Sequence, residues 1–146
     1  WHFGAPDPVR AVPETERPAR VDLTADGCVI DGQEFFAKGL LRLPVKGSAD
    51  ALTWGVWISL GEADFDALAE AFSDPVRAPG ANYLGWLANT VPGFAGNRPL
   101  AAKLHVREYP MRPWVELAPI EHPLALAQHG GIPRDVAIAR VEALLH

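Results

Sequence analysis

From Leu52 to Leu60 the chain alternates without a break. Leu52, Trp54, Val56, Ile58 and Leu60 fall on one side, and Thr53, Gly55, Trp57 and Ser59 on the other. Strict alternation over this whole stretch does not fit a helix, whose side chains repeat every ~3.6 residues. It specifies a half-buried β-strand with one face on a core. The rest of the chain must therefore build a sheet around this strand, with Trp54 in the main core.

The flanking segments supply the sheet. Cys28-Val29-Ile30 and Glu34-Phe35-Phe36 enclose Asp31-Gly32, a pair that readily takes the positive φ angles of a tight hairpin turn. In the second arm, Phe35, Ala37, Gly39, Leu41 and Leu43 alternate with Phe36, Lys38, Leu40 and Arg42. Further on, Leu100, Ala102, Leu104 and Val106 alternate with Lys103, His105 and Arg107, and another strand is predicted from Arg112 to Ala118.

Helices fill the gaps. Ser59-Leu60-Gly61-Glu62 fits a capping box before a helix in which Phe65, Leu68, Ala69 and Phe72 share a face and which ends before Pro75. Pro123 suits a first helical position, Gly130-Gly131 a stop, and Pro133 opens a last helix carrying Ile138, Val141 and Leu145. Residues 74–99 read as loop around the short apolar piece Tyr83–Leu87. Residues 1–20, with Pro6, Pro8, Pro13 and Pro18, read as an irregular lead-in with a helical turn near Glu14 to Arg17. Residues 21–146 then form a single α+β domain. Strands in runs with helices segregated toward the end predict an antiparallel β-sheet with helices packed mainly on one face.

At 146 residues the chain is long enough to bury roughly two-thirds of its unfolded surface in one core. A net charge of −5 argues against nucleic-acid or anionic-membrane partners. No apolar run approaches the ~20 residues of a membrane helix. Cys28 is the only cysteine, so an internal disulfide is excluded and a reducing, cytoplasmic setting is expected. The start at Trp1-His2-Phe3-Gly4 is not a signal peptide and reads as following a missing N-terminus.

Several chemistries are excluded. Lys46-Gly47-Ser48 lacks the upstream glycines of a phosphate loop, and no dinucleotide-binding glycine pattern follows a strand. Cys-x-x-Cys and His-Glu-x-x-His are missing, and His122 and His129 would stand about 10.5 Å apart along a helix. No metal and no cofactor is expected. Ser48, Ser59 and Ser73 lie outside any nucleophile elbow. Cys28, inside an apolar strand, reads as a small buried hydrophobe. The candidates for general acid–base work are His122 with its neighbour Glu121, and His105. Capping of the helix at Pro123 accounts for Glu121 and His122 without catalysis. Trp57 and Trp86 suit either a flat ligand or a second, smaller core layer.

The polar positions of the strands carry the clearest hint of function. Lys38 and Arg42, then Lys103, His105 and Arg107, then Arg112 with Glu116, all fall opposite their strands' apolar sets. Five of the 13 Lys and Arg residues thus sit on one kind of position in an acidic protein. Beside Trp57 they make a candidate surface for a small anionic molecule or a protein partner, because forked guanidinium groups match carboxylate and phosphate. This describes a non-catalytic binding module. The alternative is a small enzyme in which His122 or His105 moves a proton while Arg107 and Arg112 orient an anionic substrate. A merely solvated face, with Lys and Arg discouraging edge pairing, also fits the pattern.

Cys28-Val29-Ile30-Asp31-Gly32 through Phe35-Phe36, Gly39 and Pro44-Val45 resemble the opening block of domain-of-unknown-function family 2199. Trp54-Gly55-Val56-Trp57-Ile58-Ser59-Leu60 with Phe65, Gly85-Trp86-Leu87 with Asn89, and His105-Val106-Arg107 with Arg112-Pro113 and Glu116-Leu117 resemble later blocks. His122-Pro123-Leu124-Ala125 with Gln128 resembles the last, so the likeness covers roughly residues 20 to 132. The resemblance implies a bacterial, stand-alone small protein, and brings no activity, cofactor or catalytic residue. Members often begin with a Cys- and His-containing segment resembling a small metal knuckle, which the residues from Trp1 onward do not reproduce.

Because Trp54 lies on the apolar side of the longest alternation, Trp54→Ala is expected to cost about 3–5 kcal/mol. Urea denaturation of the variant measures this, and a midpoint equal to the parent's removes Trp54 from the core.

Overall fold

Asp31 and Gly32 take φ angles of 54° and 64° in the computed structural model, which describes residues 1–96 and 98–145. They turn the chain between β2 (Gly27–Ile30) and β3 (Glu34–Pro44), as the Asp-Gly pair predicts. β1 (Val21–Leu23) lies antiparallel to β2. β4 (Ala51–Leu60) follows β3 along its whole length, from Phe35 opposite Leu60 to Pro44 opposite Ala51. β5 (Asn82–Leu87), β6 (Ala101–His105) and β7 (Trp114–Leu117) continue the antiparallel meander.

β7 then returns to β3, with Leu40 opposite Trp114 and Leu41 opposite Val115. This last pairing is parallel, so the sheet is mixed, mostly antiparallel rather than purely so. Parity is the reason: strands β3 to β7 run alternately up and down, and an odd number closed in a ring leaves the last parallel to the first. The ring has a cramped interior. A Cβ at Gly39 would lie 2.7 Å from both Leu104 Cδ2 and Val115 Cγ2.

Four helices contact the sheet: α1 (Arg17–Arg20), α2 (Glu62–Phe72), α3 (Pro123–Gly130) and α4 (Arg134–Leu145). Leu68 of α2, Leu124 and Ala125 of α3 and Ala137 of α4 join Leu41, Val56, Ile58 and Leu104 in the larger core. Phe65 and Phe72 pack against it, as the helical spacing predicts. The capping box does not form. β4 runs on to Leu60 and keeps Ser59 paired opposite Trp86, so Gly61 caps α2 without a side-chain bond. Gly131, with φ 81°, ends α3. Among the described residues, no helix is long and apolar enough to cross a membrane.

β4 is not half-buried as its alternation predicts. Trp54 is 5% exposed on one face and Trp57 1% on the other. The first twenty residues cause the difference, because they cover that second face. Two 3-10 turns, Asp7–Ala11 and Glu14–Glu16, precede α1. Val9 and Val12 pack with Cys28, Ile30, Phe36 and Trp57 into a second, smaller core. Burial there pushes the Cys28 thiol up to about 11. Residues 1–3 also extend the sheet: Phe3 N donates to Gly55 O at 2.9 Å and Gly55 N to Trp1 O at 2.6 Å. They occupy the edge of β4 that β5, paired only with Ile58 and Ser59, leaves open.

Gly39→Ala is expected to destabilise the fold by about 1–3 kcal/mol, because the ring must widen for one methyl group. A fall in the urea midpoint at unchanged slope measures it.

Candidate functional site

Arg42 and Arg107 both stack on Trp114. Their guanidinium carbons lie 5.2 and 3.9 Å from the ring centroid. The ring closure makes this possible, because the β3–β7 pairing sets Leu40 beside Trp114 and carries Arg42 onto the same outer surface. Stacking holds a guanidinium by its face and leaves the in-plane N–H donors pointing outward. Arg107 Nη1 donates to Arg112 O at 3.3 Å. Among the described residues, neither Arg42 nor Arg107 has a carboxylate partner.

The same surface continues across β7 and β6. His105 stands opposite Trp114, and Lys103 opposite Glu116. His105 Nε2 meets Glu116 Oε1 at 2.7 Å. The hydrogen bond from His105 holds the Glu116 carboxyl below its ordinary range. Thus Arg42 of β3, His105 of β6, Glu116 of β7 and Arg107 just beyond β6 lie on one side of the sheet around Trp114. Sequence reasoning missed Trp114. The signal was its period-two place between Arg112 and Glu116, which shares their face.

Lys38 and Trp57 lie on the corresponding side of β3 and β4 but under the N-terminal segment. Trp57 belongs to the second core, and its Nε1 donates to Phe3 O at 2.9 Å. It does not flank the open basic surface. Lys38 is 7% exposed, with Nζ 5.8 Å from the Trp57 ring centroid. Burial lowers its pKa, and the nearby Arg112 lowers it further.

Arg112 belongs to a second region, a cleft of about 660 Å³. β2 leaves β3 after Ala37, and β7 joins the same edge at Leu40. The fork between them is roofed by Phe65, Leu68 and Phe72 of α2 and bounded by the 109–112 segment. Arg112 Nε donates to Asp26 Oδ1 at 2.6 Å across the opening. Arg77, which carried no signal in the sequence, fixes this segment. Its Nε donates to Arg107 O at 2.7 Å, Nη1 to Ala71 O at 3.0 Å and Nη2 to Met111 O at 2.7 Å. The same guanidinium lies over Phe72 and Tyr109.

His122 is elsewhere. Its Nδ1 accepts from Leu124 N at 3.1 Å, so it caps α3. With Phe94 and Leu100 it lines a cavity of about 110 Å³ that includes neither Arg107 nor Arg112. Glu121 is exposed beside it. His129 Nε2 meets Leu117 O at 2.7 Å. Among the described residues, no three His, Cys, Asp or Glu side chains gather as a metal site would require.

The chain belongs to domain-of-unknown-function family 2199, described as an uncharacterized protein conserved in bacteria, and the match runs over residues 1–132. It therefore includes the N-terminal segment that covers Trp57. Neither a comparison with curated proteins nor one with solved structures found a match.

Arg77→Ala is expected to cost about 1–3 kcal/mol, since two partly buried carbonyls and two exposed ones lose their donor. Trypsin cleavage after Arg107 is expected to accelerate, and an unchanged digestion rate removes Arg77 as the anchor of this segment.

Proposed function

We propose that this protein is a non-catalytic binding module that takes an anionic group, carboxylate or phosphate, of a small molecule or partner protein on the outer face around Trp114. The observation that carries this reading is the pair of guanidinium groups on one indole ring without a carboxylate between them. A stacked arginine has lost most of its freedom before any ligand arrives, so less entropy is lost on binding. His105, held by Glu116, adds a third polar group at the margin. The uneven charge supports the same reading: a basic strip on an acidic protein attracts anionic groups while the remaining surface repels the extended negative charge of nucleic acid. The lone, buried Cys28 accords with a reducing, cytoplasmic setting.

Thermal-shift measurements with inorganic phosphate, phosphorylated metabolites and short dicarboxylates test the proposal. At least one anion is expected to raise the melting temperature of the parent by several degrees. Arg42→Glu and Arg107→Glu are expected to remain folded and to lose that response. No response in the parent, or the same response in both variants, makes the face an ordinary solvated surface.

A further inference from the structure

The cleft under α2 is a different kind of site from the outer face. Its lining is apolar apart from Thr24, Asp26, Tyr109 and Arg112. Its size, about 660 Å³, falls inside the roughly 300–1,000 Å³ of small-molecule pockets. The walls stand on regular elements: Phe65, Leu68 and Phe72 on α2, and Leu40 on β3. The facing wall carries Tyr109 and Met111, 46% and 40% exposed, on the segment that Arg77 ties down. Apolar walls of this kind favour a hydrocarbon chain or ring.

The polar end holds one fixed guanidinium. Lys38, buried beside Trp57, is not part of the lining. Asp26 holds Arg112 by its Nε, and among the described residues the two terminal nitrogens of this guanidinium have no protein hydrogen-bond partner. Asp26 thus orients the arginine while leaving its terminal nitrogens able to donate to a further anion. A planar, bidentate anion complements such a fork better than a point charge does.

We infer that the cleft binds an amphiphilic carboxylate, its apolar portion between Phe65, Phe72 and Met111 and its carboxylate on the terminal nitrogens of Arg112. Burying each added methylene is worth about a fourfold gain in affinity, and the charged head adds selectivity over a neutral one of equal length.

Isothermal titration calorimetry of the whole chain with hexanoate, octanoate, decanoate and dodecanoate, each below its micelle concentration, and with decan-1-ol, tests this. Affinity is expected to rise about fourfold per methylene until the cleft is filled, with decan-1-ol at least about tenfold weaker than decanoate. Ala69→Trp, at an exposed position of α2 on the cleft wall, is expected to abolish binding of both. Arg112→Gln is expected to bring decanoate down to the level of the alcohol. If Arg112→Gln does not fold, the comparison of acid with alcohol on the parent and the Ala69→Trp result decide the matter. The inference is overturned if no alkanoate binds the folded parent at millimolar concentration, if acid and alcohol bind equally, or if Ala69→Trp still binds. The probes carry an apolar chain and Ala69 lies on α2, so these outcomes are independent of the anion screen on the outer face.

Discussion

β3 has two edges and three neighbours. One edge is taken throughout by β4, so β2 and β7 must divide the other between them. Much of the molecule follows from that division. The upper half of the edge makes the Asp-Gly hairpin, and the lower half closes the ring. Between them the sheet forks, and the fork is where the cleft opens. Closure also carries Arg42 around to Trp114 and leaves Gly39 no room for a side chain. A strand of ordinary length satisfying one partner per edge would give neither feature.

Wherever two strands part, buried backbone groups need another partner. Side-chain amides and guanidinium groups supply it here. Gln128 accepts from Leu117 N and donates to Val115 O, both at 2.7 Å, and so stands in for a strand beyond the point where β3 leaves β7. Asn89 accepts from Trp57 N at 2.7 Å where β5 leaves β4, and its amide donates to Ala5 O and Asp7 Oδ1. Arg77 does the same for the irregular run after β6. These three residues are polar, partly or wholly buried, and structural. Their satisfied bonds explain why a mostly irregular connection holds a fixed shape.

The sequence made the elements legible, but not their closure. Period-two spacings located β3, β4, β6 and β7, helical spacings located α2 and α4, and Pro123 and Gly130-Gly131 bounded α3, because these signals are local. The burial of Trp57 was not legible, since the cover over it comes from residues far away in the chain that show no periodicity of their own. Proline-rich composition resembles a loose lead-in until the segment is seen pairing with Gly55. The basic strip was readable as a set of non-core positions, and the structure gathers Arg42, Arg107, His105 and Glu116. Lys38 stands opposite Trp57 on that side of β3 but is buried, and side is not exposure. Trp114 and Arg77 were missed because their importance lies in partners from other strands, which register alone defines.

The N-terminal segment has one more consequence. By adding hydrogen bonds at Gly55, it occupies what would otherwise be an open edge of the longest strand pair in the sheet, and it hides an indole in the same stroke. A bare edge of that kind, beside a large apolar side chain, is the usual template for one chain to add itself to another. Residues 1–3 therefore cap the edge of β4 at Gly55, so that the backbone groups there and the Trp57 indole are satisfied within the chain.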